Sequence, residues 1–221
     1  MKRVLIVGAS GGIGAALSAG LRSAGAEVIG LSRSVDGLDV TDEVSVDHHL
    51  DALEGPFDGL IVASGALEIE GAAPEKTIKA VTAQAMADQF AVNAIGPALI
   101  LRHAPRLLAR SERSVCAVLT ARVGSIGDNR IGGWTSYRAA KAAANQIVRT
   151  TSIELARTHK SCVCVALHPG TVATAFTQKY LGRHKSVLPE EAATHLIDVM
   201  AALTPEQTGG FFDWAGKEVA W

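Results

Sequence analysis

The sequence predicts an α/β fold: a doubly wound parallel sheet with helices on both faces, three layers deep (α/β/α). Three observations predict it. Short apolar runs alternate with longer helical stretches from the first residues onward. The order repeats as βαβ. The apolar runs also lack the polar alternation of a sheet with one wet face, as strands buried on both faces do.

The elements follow in order. Residues 4–7 form a first strand, and a helix runs over 12–24 with Gly25 as its left-handed stop. Residues 27–31 are a second strand and 38–40 a short third. Residues 42–53 form a helix whose Val46, Leu50 and Leu53 share a face. A strand over 57–63 follows Gly55-Pro56. A long helical region over 82–109 is interrupted by Gly96-Pro97 and by Pro105. Then come a strand over 115–120, a helix over 135–159, a strand over 162–167, a helix over 189–203 and a last short strand over 210–213. The loop 175–187 is polar and basic, carrying Lys179, Arg183, His184 and Lys185. It is long enough to be a movable lid over a site, although a solvated basic loop explains the charges equally well. No repeat, linker or low-complexity segment divides the chain, so one domain is expected over residues 1–221.

Composition narrows the function classes. The chain has 221 residues, is 48% hydrophobic and carries a net charge of −1. A chain of this size buries a substantial core. A near-neutral charge without basic blocks argues against nucleic acid or an anionic membrane as partner. The apolar runs are strand-length, too short to span a bilayer. Met1 to Gly8 superficially resembles a signal peptide, but its apolar run is short and glycines follow, so a buried first strand is expected. The odd count of cysteines (Cys116, Cys162, Cys164) suits buried reduced thiols in a cytoplasmic protein, with no metal role.

Two motifs carry the chemistry. Tyr137 and Lys141 are spaced to share one face of a helix. An ammonium beside a phenol favours the phenolate, so Lys141 is expected to lower the Tyr137 pKa. Moving a phenol from ~10 to ~7 takes roughly 4 kcal/mol. Such a pair is a general acid/base for neutral pH. Far upstream, Gly8-Ala9-Ser10-Gly11-Gly12-Ile13-Gly14 joins the first strand to a helix. Glycines allow close backbone approach to a pyrophosphate, and the helix N-terminus offers free N–H groups. Gly8, Ser10, Gly11, Gly12, Ile13 and Gly14 are therefore candidate dinucleotide contacts. The second strand ends in Leu31-Ser32-Arg33 with no carboxylate. Arg33, helped by the Ser32 hydroxyl, suits a 2′-phosphate, which predicts NADP(H) over NAD(H). The bland alternative is a solvated loop cation.

Together with Leu38-Asp39-Val40, Val92-Asn93 and Pro169-Gly170-Thr171-Val172, these motifs resemble the short-chain dehydrogenase/reductase family with its Rossmann-type fold. Residues 122–129 look like its C-factor-type branch. The resemblance implies that Asp39 and Val40 flank the adenine. It implies that Ala63 and Gly65 line the cofactor by backbone contact, with Ser64 departing from the usual residue. Asn93 is implied to hold a backbone kink and a relay water. Pro169, Gly170, Val172 and Thr174 are implied to border the nicotinamide amide and the pyrophosphate. His168 reads as a strand-end residue rather than an acid or a metal ligand. The family also places a serine after the strand 115–120, where this chain has Ala121. Thr120, Ser125 or a water are the candidate replacements, with Thr120 expected to point to the opposite side.

The expected activity is hydride transfer between NADP(H) and a carbonyl or alcohol. Tyr137, Lys141 and Asn93 are the catalytic candidates. The competing reading, favoured by Ala121, is a cofactor-binding pseudoenzyme acting as a sensor or signal. The resemblance further implies a homodimer or homotetramer through helices around 94–110 and 139–157. The run 210–214 would give a second interface.

Overall fold

The computed structural model describes residues 1–181 and 185–221. Six strands form one sheet: β1 (Arg3–Val7), β2 (Glu27–Leu31), β3 (Gly59–Val62), β4 (Ser114–Leu119), β5 (Cys162–His168) and β6 (Phe211–Asp213). Their order is β2-β1-β3-β4-β5-β6, and every pairing is parallel. The chain winds outward to β2 and then returns past β1 to β3. The C-terminal ends of β1 and β3 therefore border the crevice where such sheets take ligands.

The strands are buried on both faces, as their continuous apolar sequences require. Leu5, Val7, Leu60, Val62, Cys116, Val118, Cys164 and Ala166 pack on one side. There they meet α3 (Glu43–Asp51), α5 (Gly96–Leu101), α6 (Ala104–Leu107) and α7 (Thr135–Thr158). Val4, Ile6, Ile61, Val115, Ala117, Val163, Val165 and Leu167 face α1 (Gly12–Ser23) and α8 (Pro189–Ala202) on the other. This period-two division makes the three layers. All three cysteines are free and buried. Burial pushes the Cys162 thiol up to about 12. Among the described residues no helix is long and apolar enough to cross a membrane.

Local chemistry sets the helix ends. The Asp42 carboxylate accepts from Val44 N at 3.0 Å and caps α3, and Thr82 Oγ1 accepts from Ala85 N at 3.1 Å and caps α4 (Ala83–Phe90). Gly25 stops α1 in the left-handed conformation.

Two expectations are corrected here. Residues 38–40 are no strand. A one-turn helix, α2 (Arg33–Asp36), fills the space after β2 and ends at Gly37, whose φ is +78°. The Asp39 carboxylate then accepts from Thr41 N and Thr41 Oγ1, a turn that competes with strand pairing. The long helical region is also distorted ahead of Gly96. After α4 the chain makes a π turn over Ala91–Ile95 that runs on, still helical, into α5 with Pro97 just beyond it, and Pro105 sits in the first turn of α6.

Candidate functional site

The C-terminal edge of the sheet gathers most of the candidate residues. Gly8 directly follows β1 with φ +92°, and a Cβ there would lie 2.6 Å from Ser64 N. A Cβ on Gly14 would lie 2.1 Å from Gly8 O, so helix and turn touch only because both lack side chains. Gly11 is the N-cap of α1 and offers no capping side chain. The first N–H groups of α1 therefore face outward with the positive end of the helix dipole. A Cβ on Gly12 would lie 2.5 Å from Thr174 Cγ2, which brings the segment after β5 onto the glycine loop. Ser10 Oγ accepts from Ser34 Oγ at 2.9 Å, which joins that loop to α2.

Tyr137 and Lys141 stand one turn apart on α7, 5% and 4% exposed. The Lys141 Nζ lies 5.8 Å from the centre of the Tyr137 ring and donates to Leu119 O at 3.3 Å. The Tyr137 hydroxyl makes no hydrogen bond among the described residues. The expected pKa lowering is corrected: burial pushes the Tyr137 phenol well above its ordinary value. Burial also pulls Lys141 down to about 8. The reason is common to both. Each charged form loses water, and the ammonium reaches the ring and a backbone carbonyl instead of the phenol oxygen.

Asn93 is fully buried at the centre of the π turn. Its Nδ2 donates to Ala66 O at 2.8 Å and to Gln89 Oε1 at 2.7 Å, and its Oδ1 accepts from Ala66 N at 3.2 Å. Gln89 Nε2 in turn donates to Leu67 O at 2.9 Å. The segment after β3 is thereby stapled to the kink. A Cβ on Gly65 would lie 3.1 Å from Asn93 Oδ1 and 3.4 Å from Lys141 Nζ, so Gly65, Asn93 and Lys141 meet at one point.

Around Ala121 the polar groups are disposed as follows. Ala121 precedes a single 3-10 turn over Arg122–Gly124. Among the described residues Thr120 Oγ1 is buried without a hydrogen-bond partner, as is Ser64 Oγ. Alternation along β4 puts Thr120 on the α7 side with Cys116 and Val118. Ser125 Oγ accepts from Asp128 N at 3.0 Å, so it is already engaged in its own loop. His168 ends β5, and burial holds its imidazole down at about 4, neutral at physiological pH.

The adenine-side candidates lie at the end of β2. Arg33 is exposed at the start of α2. The expected help from Ser32 is corrected: its hydroxyl donates to Asp36 Oδ2 at 3.2 Å and its N–H donates to the same oxygen at 2.7 Å. A carboxylate four residues on captures both donors. Val40 packs against Gly96, where a Cβ would lie 3.0 Å from Val40 Cγ2. Asp39 is held below its ordinary pKa, first by the Thr41 hydroxyl.

Pro169, Gly170 and Val172 follow β5, and a bridge pairs Val172 with Val187 at the base of the loop above. Residues 176–180 of that loop reach the site's neighbourhood. Lys179 Nζ and Tyr180 Oη donate to the Glu68 carboxylate at 2.6 and 2.9 Å. The Phe176 ring lies 6.5 Å from that of Tyr137. Of the four basic residues expected in it, Arg183 and His184 lie outside the described residues.

The family model for short chain dehydrogenase matches residues 37–184. The chain belongs to this family. It is an oxidoreductase acting on CH–OH or C=O groups. The chain is similar to the 1-hydroxy-2-glutathionyl-2-methyl-3-butene dehydrogenase of Rhodococcus sp. (strain AD45), with 32% identity over 236 aligned positions covering all of both proteins. It is also similar to the C-signal of Myxococcus xanthus, with 36% identity over 62% of this chain and 78% of that protein. Among solved structures it resembles a Burkholderia multivorans short-chain dehydrogenase/reductase with bound NADP (25% identity, TM-score 0.83), covering 100% of this chain and 99% of that one.

Sequence reasoning about this short-chain dehydrogenase missed Gln89, Glu68, Glu75 and Trp134. The first three act through partners more than 20 residues away, which no local pattern reveals. Trp134 had a signal: two glycines directly before a helix, which permit an unusual backbone.

Proposed function

We propose that this short-chain dehydrogenase binds NADP(H) and transfers hydride reversibly between the nicotinamide and a carbonyl or alcohol substrate. One observation carries the reading. Tyr137 and Lys141 are buried together at the C-terminal edge of a parallel sheet, with Gly65 and Asn93 against the lysine and an uncapped helix N-terminus beside them. The glycine loop fits a dinucleotide: a Cβ at Gly8 or Gly14 would strike Ser64 N or Gly8 O, so glycine there permits the tight strand-to-helix turn that leaves the first N–H groups of α1 uncapped. The bound NADP in a Burkholderia relative of the same fold supports the cofactor.

The N–H groups of α1 and of residues 11–14 would hold the pyrophosphate, and Arg33 the 2′-phosphate. Asp39 and Val40 would flank the adenine, and Ala63, Ser64, Gly65, Pro169, Gly170, Val172 and Thr174 would line the rest. When bound, the nicotinamide supplies or accepts the hydride. Tyr137 keeps its proton at neutral pH, because burial raises its pKa, and gives it to the developing alkoxide. In the reverse direction it takes the proton back. Asn93, with the π turn, positions a water that returns the proton through Lys141. Residues 1–221 act as one domain, in the cytoplasm. α7 exposes Ile153, and next to it a groove of about 550 Å³ runs between Gln146, Thr150 and Glu154 of α7 and Ala98 and Leu101 of α5; this helix pair suits pairing with a second copy.

A second reading rests on Ala121: a protein that binds NADP(H) and reports it to partners with little turnover. A panel of aldehydes and ketones with NADPH decides between them. Turnover that Tyr137→Phe abolishes is expected; tight NADPH binding with no turnover on the panel selects the sensor. Weaker NADPH than NADH binding, or no loss of NADPH affinity in Arg33→Ala, refutes the cofactor assignment.

A further inference from the structure

Three consecutive residues before α7 are left-handed: Gly132 (φ +69°), Gly133 (φ +68°) and Trp134 (φ +54°). Glycine adopts this conformation freely, whereas a bulky aromatic residue there is an outlier that its surroundings must hold in place. The holding groups are identifiable. Trp134 N donates to Glu75 O at 2.6 Å. The Glu75 carboxylate, 8% exposed, accepts from Ser136 Oγ and from Ser136 N, the latter at 3.3 Å. Arg138 Nε donates to Gly133 O at 2.9 Å.

The bend aims the indole at the site. Its ring centre lies 6.2 Å from that of Tyr137, edge to face. On its other side Tyr180 lies 5.3 Å away, also edge to face. Phe176, 40% exposed, approaches Tyr137 at 6.5 Å. Both carboxylates next to this wall are committed, Glu68 to Lys179 and Tyr180, and Glu75 to Ser136. The surface beside the phenol is thus π-rich and lacks a free carboxylate among the described residues.

We propose that Trp134 and Phe176 form a stacking wall that selects carbonyl substrates bearing a flat, conjugated substituent. Glu75 is the positioning residue that holds the Trp134 backbone in place. The proposal rests on Tyr137 being the proton donor to the substrate oxygen. A carbonyl held at that hydroxyl carries its substituent past the wall. Offset or edge-to-face contact then rewards a planar ring over a puckered one of equal size.

The test compares benzaldehyde with cyclohexanecarbaldehyde under NADPH, and benzyl alcohol with cyclohexanemethanol by calorimetry on the NADP⁺-loaded protein. The wild type is expected to favour the aromatic member about threefold to tenfold, mainly through KM and Kd. Trp134→Gly, which removes the ring and relieves the backbone strain together, lowers the ratio, Trp134→Gly with Phe176→Ala brings it to unity, and Trp134→Phe keeps most of it. Glu75→Ala lowers the ratio and Glu75→Gln restores it; a merely structural role would move both substrates alike. Equal kcat/KM for the two aldehydes, or a preference unchanged by Trp134→Gly or surviving the double variant, overturns the proposal. Calorimetric preference without turnover supports the wall while overturning the reductase reading. Turnover without preference does the reverse.

Discussion

Lys141 sets charge against burial at a single atom. Its pKa falls from an ordinary 10.5 to about 8 because the folded protein withdraws water from the ammonium. The charged form is therefore disfavoured in the fold at every pH below about 8, and the penalty vanishes above 10.5, where both states are neutral. Lys141→Met should stabilise the cofactor-free protein at pH 7 by up to about 3 kcal/mol. The gain should fade between pH 8 and 10.5, as read from urea midpoints across that range. Ala121 gives the second residue-level prediction. Removing one hydrogen-bond donor to a reacting oxygen typically costs about 100- to 1000-fold in rate. Ala121→Ser should accordingly raise kcat by at least about tenfold with little change in NADPH affinity, measured by steady-state kinetics. An unchanged kcat would show that another donor already fills the role.

The π turn over Ala91–Ile95 carries the buried Asn93. Asn93→Ala would leave the partly buried Ala66 N–H and C=O and the buried Gln89 Oε1 without these bonds. A loss of about 2–3 kcal/mol is expected, read by urea unfolding. Regular elements were legible because their physics is local: β2 appears over the expected residues, and α7 follows the apolar spacing of its buried face. The glycine turn into α1 and the placing of Tyr137 and Lys141 on one buried helix face were legible for the same reason. The π turn was not, since one inserted residue leaves no periodic trace. Nor was the lost strand at 38–40, because the side chains of Asp39 and Asp36 decide it by bonding to nearby backbone. Long-range caps such as Glu75 on Ser136, 61 residues apart, exist only once the chain has folded.

For the whole molecule, strand order follows from alternating element types and short connections, and the observed sheet is the doubly wound one expected. Assembly is decided by surfaces whose partners one chain does not display. A dimer or tetramer in light scattering is the expected outcome. Replacing Ile153 on the exposed face of α7 by Lys should shift it toward monomer. A strict wild-type monomer would remove the helix-face proposal while leaving the active-site chemistry intact.

Because all six strands run the same way, the sheet has a working rim and an idle one. Ser111 and Glu112, exposed just ahead of β4, stand on the idle rim. A fluorophore, affinity handle or solid support attached there would leave the opposite rim open to bulk solution.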